Sequence, residues 1–152
     1  MNGPIPTRLV FLHELSSLPP HTKVRFLGCV TRYDTVRGRL ELEHNFPPLS
    51  RKDKKRSSSI ASRRVSVDIC HVLNTITGGQ LQVGTWLNIF GYIRLEMQSK
   101  KDEDCHTPED ANGSQIYVEA VMISDAGALR VAEYEQSLAD MQAINRRLGR
   151  DT

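Results

Sequence analysis

The sequence predicts an all-β domain, a five-stranded Greek-key OB-fold barrel with a C-terminal α-helix. Three observations predict it. Five segments alternate apolar and polar residues with the period of a strand. Polar excursions follow the second and fourth of these segments, and only the tail carries a helical period. At 152 residues the chain fits a single domain, with a lead at 1–21, a barrel at 22–124 holding polar loops at 47–63 and 98–114, and a helical tail at 125–150.

In the lead, Leu9–Leu12 reads as a short strand ahead of a turn stopped by Pro19 and Pro20. Thr22–Asp34 is the first long strand, with Val24, Phe26 and Val30 on one face and Lys23, Arg25, Thr31 and Tyr33 on the other. Gly28 falls mid-strand, where glycine marks a bulge or a sharp bend. A turn at Thr35–Gly38 leads into Arg39–Phe46, with Leu40 and Leu42 inward and Arg39, Glu41 and Glu43 outward, a hairpin pattern. The run Arg51–Ser62 is polar, basic and low in complexity, and reads as a mobile loop. Arg64–Cys70 alternates cleanly at Val65, Val67 and Ile69, and the connector His71–Gly84 has room for a short helix. Thr85–Met97 places Leu87, Ile89, Ile93 and Leu95 on one face and Phe90 and Tyr92 on the other. After an acid-rich excursion, Ser99–Ser114, the last strand is Gln115–Ser124 with Ile116, Val118, Ala120 and Met122 in register. A helix is expected over Ala128–Leu148, with Asp125 as N-cap and Gly149 at the C′ position behind Arg146 and Arg147.

Composition narrows the function classes. A net charge of +2 is too small to argue nucleic-acid binding from global charge, so the distribution must carry that argument. Three widely spaced cysteines without a C-x-x-C fit a reducing nuclear or cytosolic compartment better than a disulfide framework. The N-terminus lacks a secretory pattern and no apolar run approaches the ~18 residues of a membrane span, so a soluble intracellular protein is expected. His13, His21, His44, His71 and His106 show no zinc spacing with one another or with the cysteines. Cys70 and His71 are strand neighbours that point to opposite faces, a poor nucleophile pair. Gly78-Gly79 is followed by no GK[ST]. The reading is a binding protein without catalytic residues, metal or cofactor.

Two features suit binding. Between Arg51 and Arg64 lie seven cations against Asp53 alone. That run fits a phosphate-contacting arm, a nuclear-import signal or a solvated insertion, and its serines, with Ser66, could accept phosphate. The usual OB ligand face mixes Arg37, Arg39 and Arg64 with Glu41, Glu43 and Asp68, and offers no aromatic for base stacking. The nucleic-acid candidates are therefore Lys23, Arg25, Arg32, Arg37, Arg39, Tyr92, Lys54, Lys55 and Arg56, in an auxiliary role. On the tail helix, Val131, Tyr134, Leu138, Met141, Ile144 and Leu148 form a large apolar stripe. Ala128, Ala132, Ala139 and Ala143 form a second one. One face suffices to dock a helix on its own barrel, so the other is expected to meet a partner.

The stretches GPIPTRLVFLHELSSLP, KVRFLGCVTRYD with GRLELEH, GTWLNIFGYI and the terminal helix resemble the fungal Ten subunit of the telomere-capping CST complex, its smallest, one-domain OB member. The resemblance implies a heterodimer with the Stn-type OB subunit, built like the middle and small subunits of replication protein A with packed C-terminal helices. It further implies contact, through the complex, with the larger CST subunit and telomeric single-stranded DNA, and support of primase–polymerase α at chromosome ends in the nucleus. The partner role is carried over to the large stripe, centred on Tyr134, Leu138 and Met141, with the competing arrangement that this stripe lies on the home barrel and the alanine stripe meets the partner. The basic loop lies outside the family pattern. The competing reading is an autonomous OB module that binds single-stranded nucleic acid in replication or RNA metabolism.

Overall fold

The computed structural model describes residues 3–96 and 115–149. Six strands form one sheet: β1 (Arg8–Leu9), β2 (Lys23–Asp34), β3 (Arg39–Glu43), β4 (Arg64–Asp68), β5 (Trp86–Leu95) and β6 (Ile116–Asp125). The sheet runs β1-β2-β3-β4-β6-β5, and an additional β2–β5 pairing closes five of the strands into a ring. Consecutive β4 and β5 are not neighbours. β6 lies between them, parallel to β4 and antiparallel to β5, which is the Greek-key crossing of an OB barrel. β1 is a short parallel addition beside Val24 and Arg25 of β2, shorter than the expected Leu9–Leu12.

The ring closes through β2. Lys23 to Cys29 pair with β5, and Cys29 to Asp34 pair with β3. Gly28 sits at this change of partner and is not itself bulged, contrary to one of the two expectations for it. A Cβ there would lie 3.0 Å from Leu42 Cβ, so glycine lets the two strands approach as β2 bends. The bulge falls at Thr31: Val30 faces Leu42 but Arg32 faces Glu41. The extra residue reverses the alternation, so Tyr33 packs against the core where a period of two put it outside. The same device acts in β6. Gly91 faces Ala120 while Phe90 faces Met122, leaving Val121 unpaired. Beyond it Ile123 turns to the core and Met122 outward, the reverse of the expected register. Leu95, expected inward, is exposed at the end of β5.

Other boundaries shift for local reasons. β3 ends at Glu43, before the Phe46-Pro47 peptide, which is cis. β4 ends at Asp68, whose carboxylate accepts the Cys70 N–H at 2.9 Å and starts a 3₁₀ turn, Cys70–Val72. The connector holds that turn and a second at Gly78–Leu81, in place of a regular helix. The basic run is ordered. Asp53–Lys55 is a 3₁₀ turn and Ser57–Ala61 a short helix, α1. Its far end is fastened by Arg63, whose guanidinium donates to Pro47 O at 2.7 Å and Ser59 O at 2.9 Å. The second excursion, Ser99–Ser114 with Cys105, His106 and the acids, lies wholly outside the described residues. The final helix, α2, spans Val131–Arg147 and not Ala128–Leu148. Asp125 does not cap it because the β5–β6 ladder holds Asp125 opposite Leu87. Its carboxylate accepts the Gly127 N–H at 2.8 Å in the turn that follows. No helix among the described residues is long and apolar enough to cross a membrane.

The core is the barrel interior. Val24, Phe26, Leu40, Leu42, Val67, Leu87, Ile89, Ile93 and Val118 are fully buried, each contributing ~1.5–3 kcal/mol relative to exposure. The 3₁₀ turn Leu12–Ser17 plugs one end with Leu12 and Leu15. Its first turn is closed by Glu14, whose carboxylate accepts the Phe11 N–H at 2.7 Å.

A Cβ at Gly91 would lie 2.3 Å from the Glu119 carbonyl oxygen, a backbone atom that cannot yield cheaply. Gly91→Ala is therefore expected to destabilise the barrel by ~1–3 kcal/mol in urea denaturation. Gly78→Ala, where the added methyl meets open space, should stay within ~0.5 kcal/mol of the parent.

Candidate partner and nucleic-acid interfaces

α2 crosses the outside of the barrel and is held at three points. Leu138, 3% exposed, is its one buried side chain. Glu135 Oε1 lies 2.9 Å from Nε2 of buried His44, and the Gln142 side-chain amide donates to Glu14 at 2.9 Å. His44 sits in an aromatic nest, edge-on to Trp86 with centroids 5.2 Å apart and 6.1 Å from Phe11, which packs on Phe46. Tyr134 is half-buried, and that burial pushes its phenol pKa up against the opposing influence of the nearby Arg25 charge. Val131 is also half-buried, beside His44 and Trp86.

The large stripe thus splits along the helix. Leu138 serves the home barrel, together with much of Val131 and Tyr134, so the stripe cannot face a partner as one surface. Met141, Ile144 and Leu148 remain 41%, 55% and 58% exposed. At ~100° per residue they share a flank about a quarter-turn from Leu138, because the stripe drifts round the helix with successive turns. The small stripe divides as well, with Ala132 exposed and Ala139 and Ala143 half-buried.

The nucleic-acid candidates do not form one site. Lys23 and Tyr92 are cross-strand partners, as are Arg25 and Phe90, so Lys23, Arg25 and Tyr92 do come together on the β2–β5 wall. Arg25 is partly buried there, 5.1 Å over the Phe90 ring. Arg94, absent from the sequence candidates, lies 5.3 Å over Tyr92. It is also drawn to Glu119 at 3.3 Å. Arg39 is committed elsewhere. Its guanidinium donates to both Glu96 carboxylate oxygens, at 2.8 and 3.2 Å, and stacks 4.0 Å over Tyr117. Arg32 and Arg37 are exposed near the β2–β3 turn, while Lys54, Lys55 and Arg56 are exposed beyond β3.

On the usual OB face the opposite charges are cross-strand neighbours. Arg39 opposes Asp68 and Glu43 opposes Arg64, the latter with a 3.3 Å ion pair. These positions cancel one another, and the half-buried aromatic beside them, Tyr117, is covered by Arg39. The described cysteines are poor nucleophiles. Burial raises the Cys29 pKa, with Glu43 adding to it, and a hydrogen bond to Asp68 raises that of Cys70, so both stay protonated thiols near neutrality.

A family model for the telomere-capping CST complex subunit Ten1 matches residues 1–139. The chain belongs to the Ten1 family. No curated protein sequence matches it. The fold agrees with solved structures at low identity. The Schizosaccharomyces pombe Stn1–Ten1 complex contains a chain 23% identical, with a TM-score of 0.60 over 93% of this chain and 96% of that one. Ten1 of S. pombe alone is 22% identical, with a TM-score of 0.59 over 91% and 99%. A chain of Ustilago maydis replication protein A bound to single-stranded DNA is 13% identical, with a TM-score of 0.52 over 95% and 96%. As a Ten1-family member the chain is a telomere-capping CST subunit with an OB fold. The aromatic nest around His44, its contact with Glu135 and the ion pairs to Glu96 and Glu119 are what the sequence did not announce, since their partners lie far apart along the chain.

Two outcomes follow from this geometry. Leu138→Ala should lower stability by ~2–4 kcal/mol in thermal or urea melts, whereas Met141→Ala should leave melting unchanged. Burial pushes the His13 imidazole below its usual 6.5, with Glu14 opposing the shift and Arg63 and His44 adding to it. The unfolded chain then takes up the proton first as pH falls through 6.5, so stability is present above that value and lost below it. His13→Gln should flatten this loss in a series of urea melts across the same range.

Proposed function

We propose that this Ten1-family chain heterodimerises with an Stn-type OB subunit through the exposed flank of α2, and that it acts as a non-catalytic accessory subunit in the nucleus, at telomeres. One observation carries the reading: α2 is already docked on its barrel, yet it leaves Met141, Ile144 and Leu148 exposed on one flank. A solvent-facing apolar row on a rigid helix is what helix-to-helix association buries. The S. pombe chain of like fold is solved as an Stn1–Ten1 complex, which supports the choice of partner. Leu138 then acts as the fastener that presents the flank, and Tyr134 as its inner edge. The larger CST subunit and primase–polymerase α are reached through the assembled complex.

Nucleic-acid contact is auxiliary in this reading. Ion pairs occupy the usual ligand face, leaving the Lys23–Tyr92 wall and the basic run as the surfaces for single-stranded telomeric DNA. The isolated chain should bind such DNA weakly and with strong salt dependence. Deleting residues 51–56 should reduce the log–log salt slope by ~0.7 for every phosphate that their cations neutralise. Nanomolar, salt-insensitive binding by the isolated chain would favour an autonomous single-strand-binding module instead.

The interface is tested by Met141→Asp with Ile144→Asp in the full chain co-expressed with its Stn-type partner. Anchor truncations commonly cost ~2 kcal/mol or more, so co-purification should be lost while the melting temperature of the isolated chain holds. Retained co-purification with both aspartates in place would sink the assignment.

A further inference from the structure

We infer that the serines at 57–59 are a phosphorylation site for a basophilic protein kinase, and that the modification discharges the basic run between β3 and β4. The sequence holds two segments with the charge pattern such kinases select, two or three cations within the three residues before a serine. One is Lys54-Lys55-Arg56 ahead of Ser57, Ser58 and Ser59, and the other is Arg63-Arg64-Val65 ahead of Ser66. By sequence alone the second is at least as good.

The structure separates them. Ser66 lies inside β4, opposite Glu41 of β3, with Val65 and Val67 buried on either side of it. Presenting Ser66 as an extended peptide would require pulling β4 out of the barrel core. Arg63 is also tied to Pro47 and Ser59, and Arg64 to Glu43, so neither cation is free to be read. The first segment has the opposite properties. Lys54, Lys55, Arg56 and Ser57 are all exposed. The five-residue α1 that begins at Ser57 is far below the length at which a helix is stable by itself, and none of its described side chains is buried. Unwinding it exposes the segment while the barrel ladders stay intact.

The step is an ordinary phosphoryl transfer. The serine Oγ attacks the γ-phosphorus of ATP, the new O–P bond forms as the β–γ bridge breaks, ADP leaves, and the hydroxyl proton passes to the kinase base. Each phosphate adds about −1.5 to −2 charges near pH 7. The seven cations and one acid of residues 51–64 give +6, so two phosphates remove about half to two-thirds of that charge. The effect on DNA rests on the auxiliary role proposed above for Lys54, Lys55 and Arg56. The acceptor assignment does not.

The test incubates the folded full chain, and separately a urea-unfolded sample diluted just before the reaction, with ATP and the catalytic subunit of a cyclic-AMP-dependent kinase. Phosphates are located by peptide mass spectrometry. The folded chain should carry phosphate within 57–59 and none at Ser66, while the unfolded sample gains Ser66. Ser57→Ala/Ser58→Ala/Ser59→Ala should abolish incorporation into the folded chain. Modification of Ser66 in the folded chain, or none at 57–59 while the unfolded sample is modified, overturns the site. The doubly phosphorylated chain should bind an oligothymidine at least 5-fold more weakly than the unmodified chain at low salt. Unchanged affinity with 57–59 fully modified would leave the acceptor standing and overturn the discharge of a DNA-contacting run.

Discussion

β2 has to hydrogen-bond β5 over its first half and β3 over its second, and across both ladders Val24, Phe26 and Val30 must face one interior. Small barrels meet such a demand by bending a strand, and bending costs the regular alternation of side chains. Gly28 removes the side chain at the point of closest approach. The extra residue at Thr31 then restores the inward direction beyond the bend. β6 meets the same demand on the other side of the ring with Val121, the unpaired residue between the Phe90–Met122 and Gly91–Ala120 pairs. The remaining architecture follows from where β2 is left. Its outer surface near Arg25 lies against α2, and its far half carries the hairpin that ends in the turn before β3.

The parts of this fold that depend on spacing were legible in the sequence. The five barrel strands, the β2–β3 hairpin, the inward Leu40 and Leu42, the alternation at Val65, Val67 and Ile69, and a tail helix closed by Gly149 in a left-handed conformation all follow from local period and turn chemistry. The register misses have one physical source. Tyr33, Met122 and Ile123 lie beyond bulges, and a bulge is set by which strand pairs with which, not by the residues on either side of it. Asp125 as N-cap failed for a related reason, because ladder bonds to β5 extend β6 past the point where its own sequence suggested a turn. The helix stripe was visible as a stripe, but its division between barrel and solvent depends on the angle at which α2 crosses. The committed state of Arg39 depends on Glu96 and Tyr117, residues that no short-range pattern joins to it.

Charge placement sorts the surfaces into different tasks. On the β3–β4 face, Arg64 pairs with Glu43 and Arg39 stands opposite Asp68 while bound to Glu96, so that wall adds little net attraction for a polyanion. The flank of α2 is the reverse case, apolar and unpaired. The basic run concentrates its cations outside the barrel, on turns that end at Arg63 and its two carbonyl acceptors. Under the assignment proposed above, a Ten1-family subunit arranged in this way separates assembly from charge: protein association and polyanion attraction would draw on residues that share neither a strand nor a helix.

The way α2 is fastened sets its place in the hierarchy of opening. Leu138, the His44–Glu135 pair and the Gln142–Glu14 hydrogen bond are few anchors for seventeen residues, whereas the barrel strands are held by continuous ladders. Such an element opens as a unit of its own, below the cost of global unfolding. Amide hydrogens along α2 then exchange ahead of those in β2 and β5, and the free subunit samples a barrel with its helix released. A partner that grips the outer flank selects the closed form, so association is read out as protection spreading through the helix, including residues on its inner face that the partner never touches.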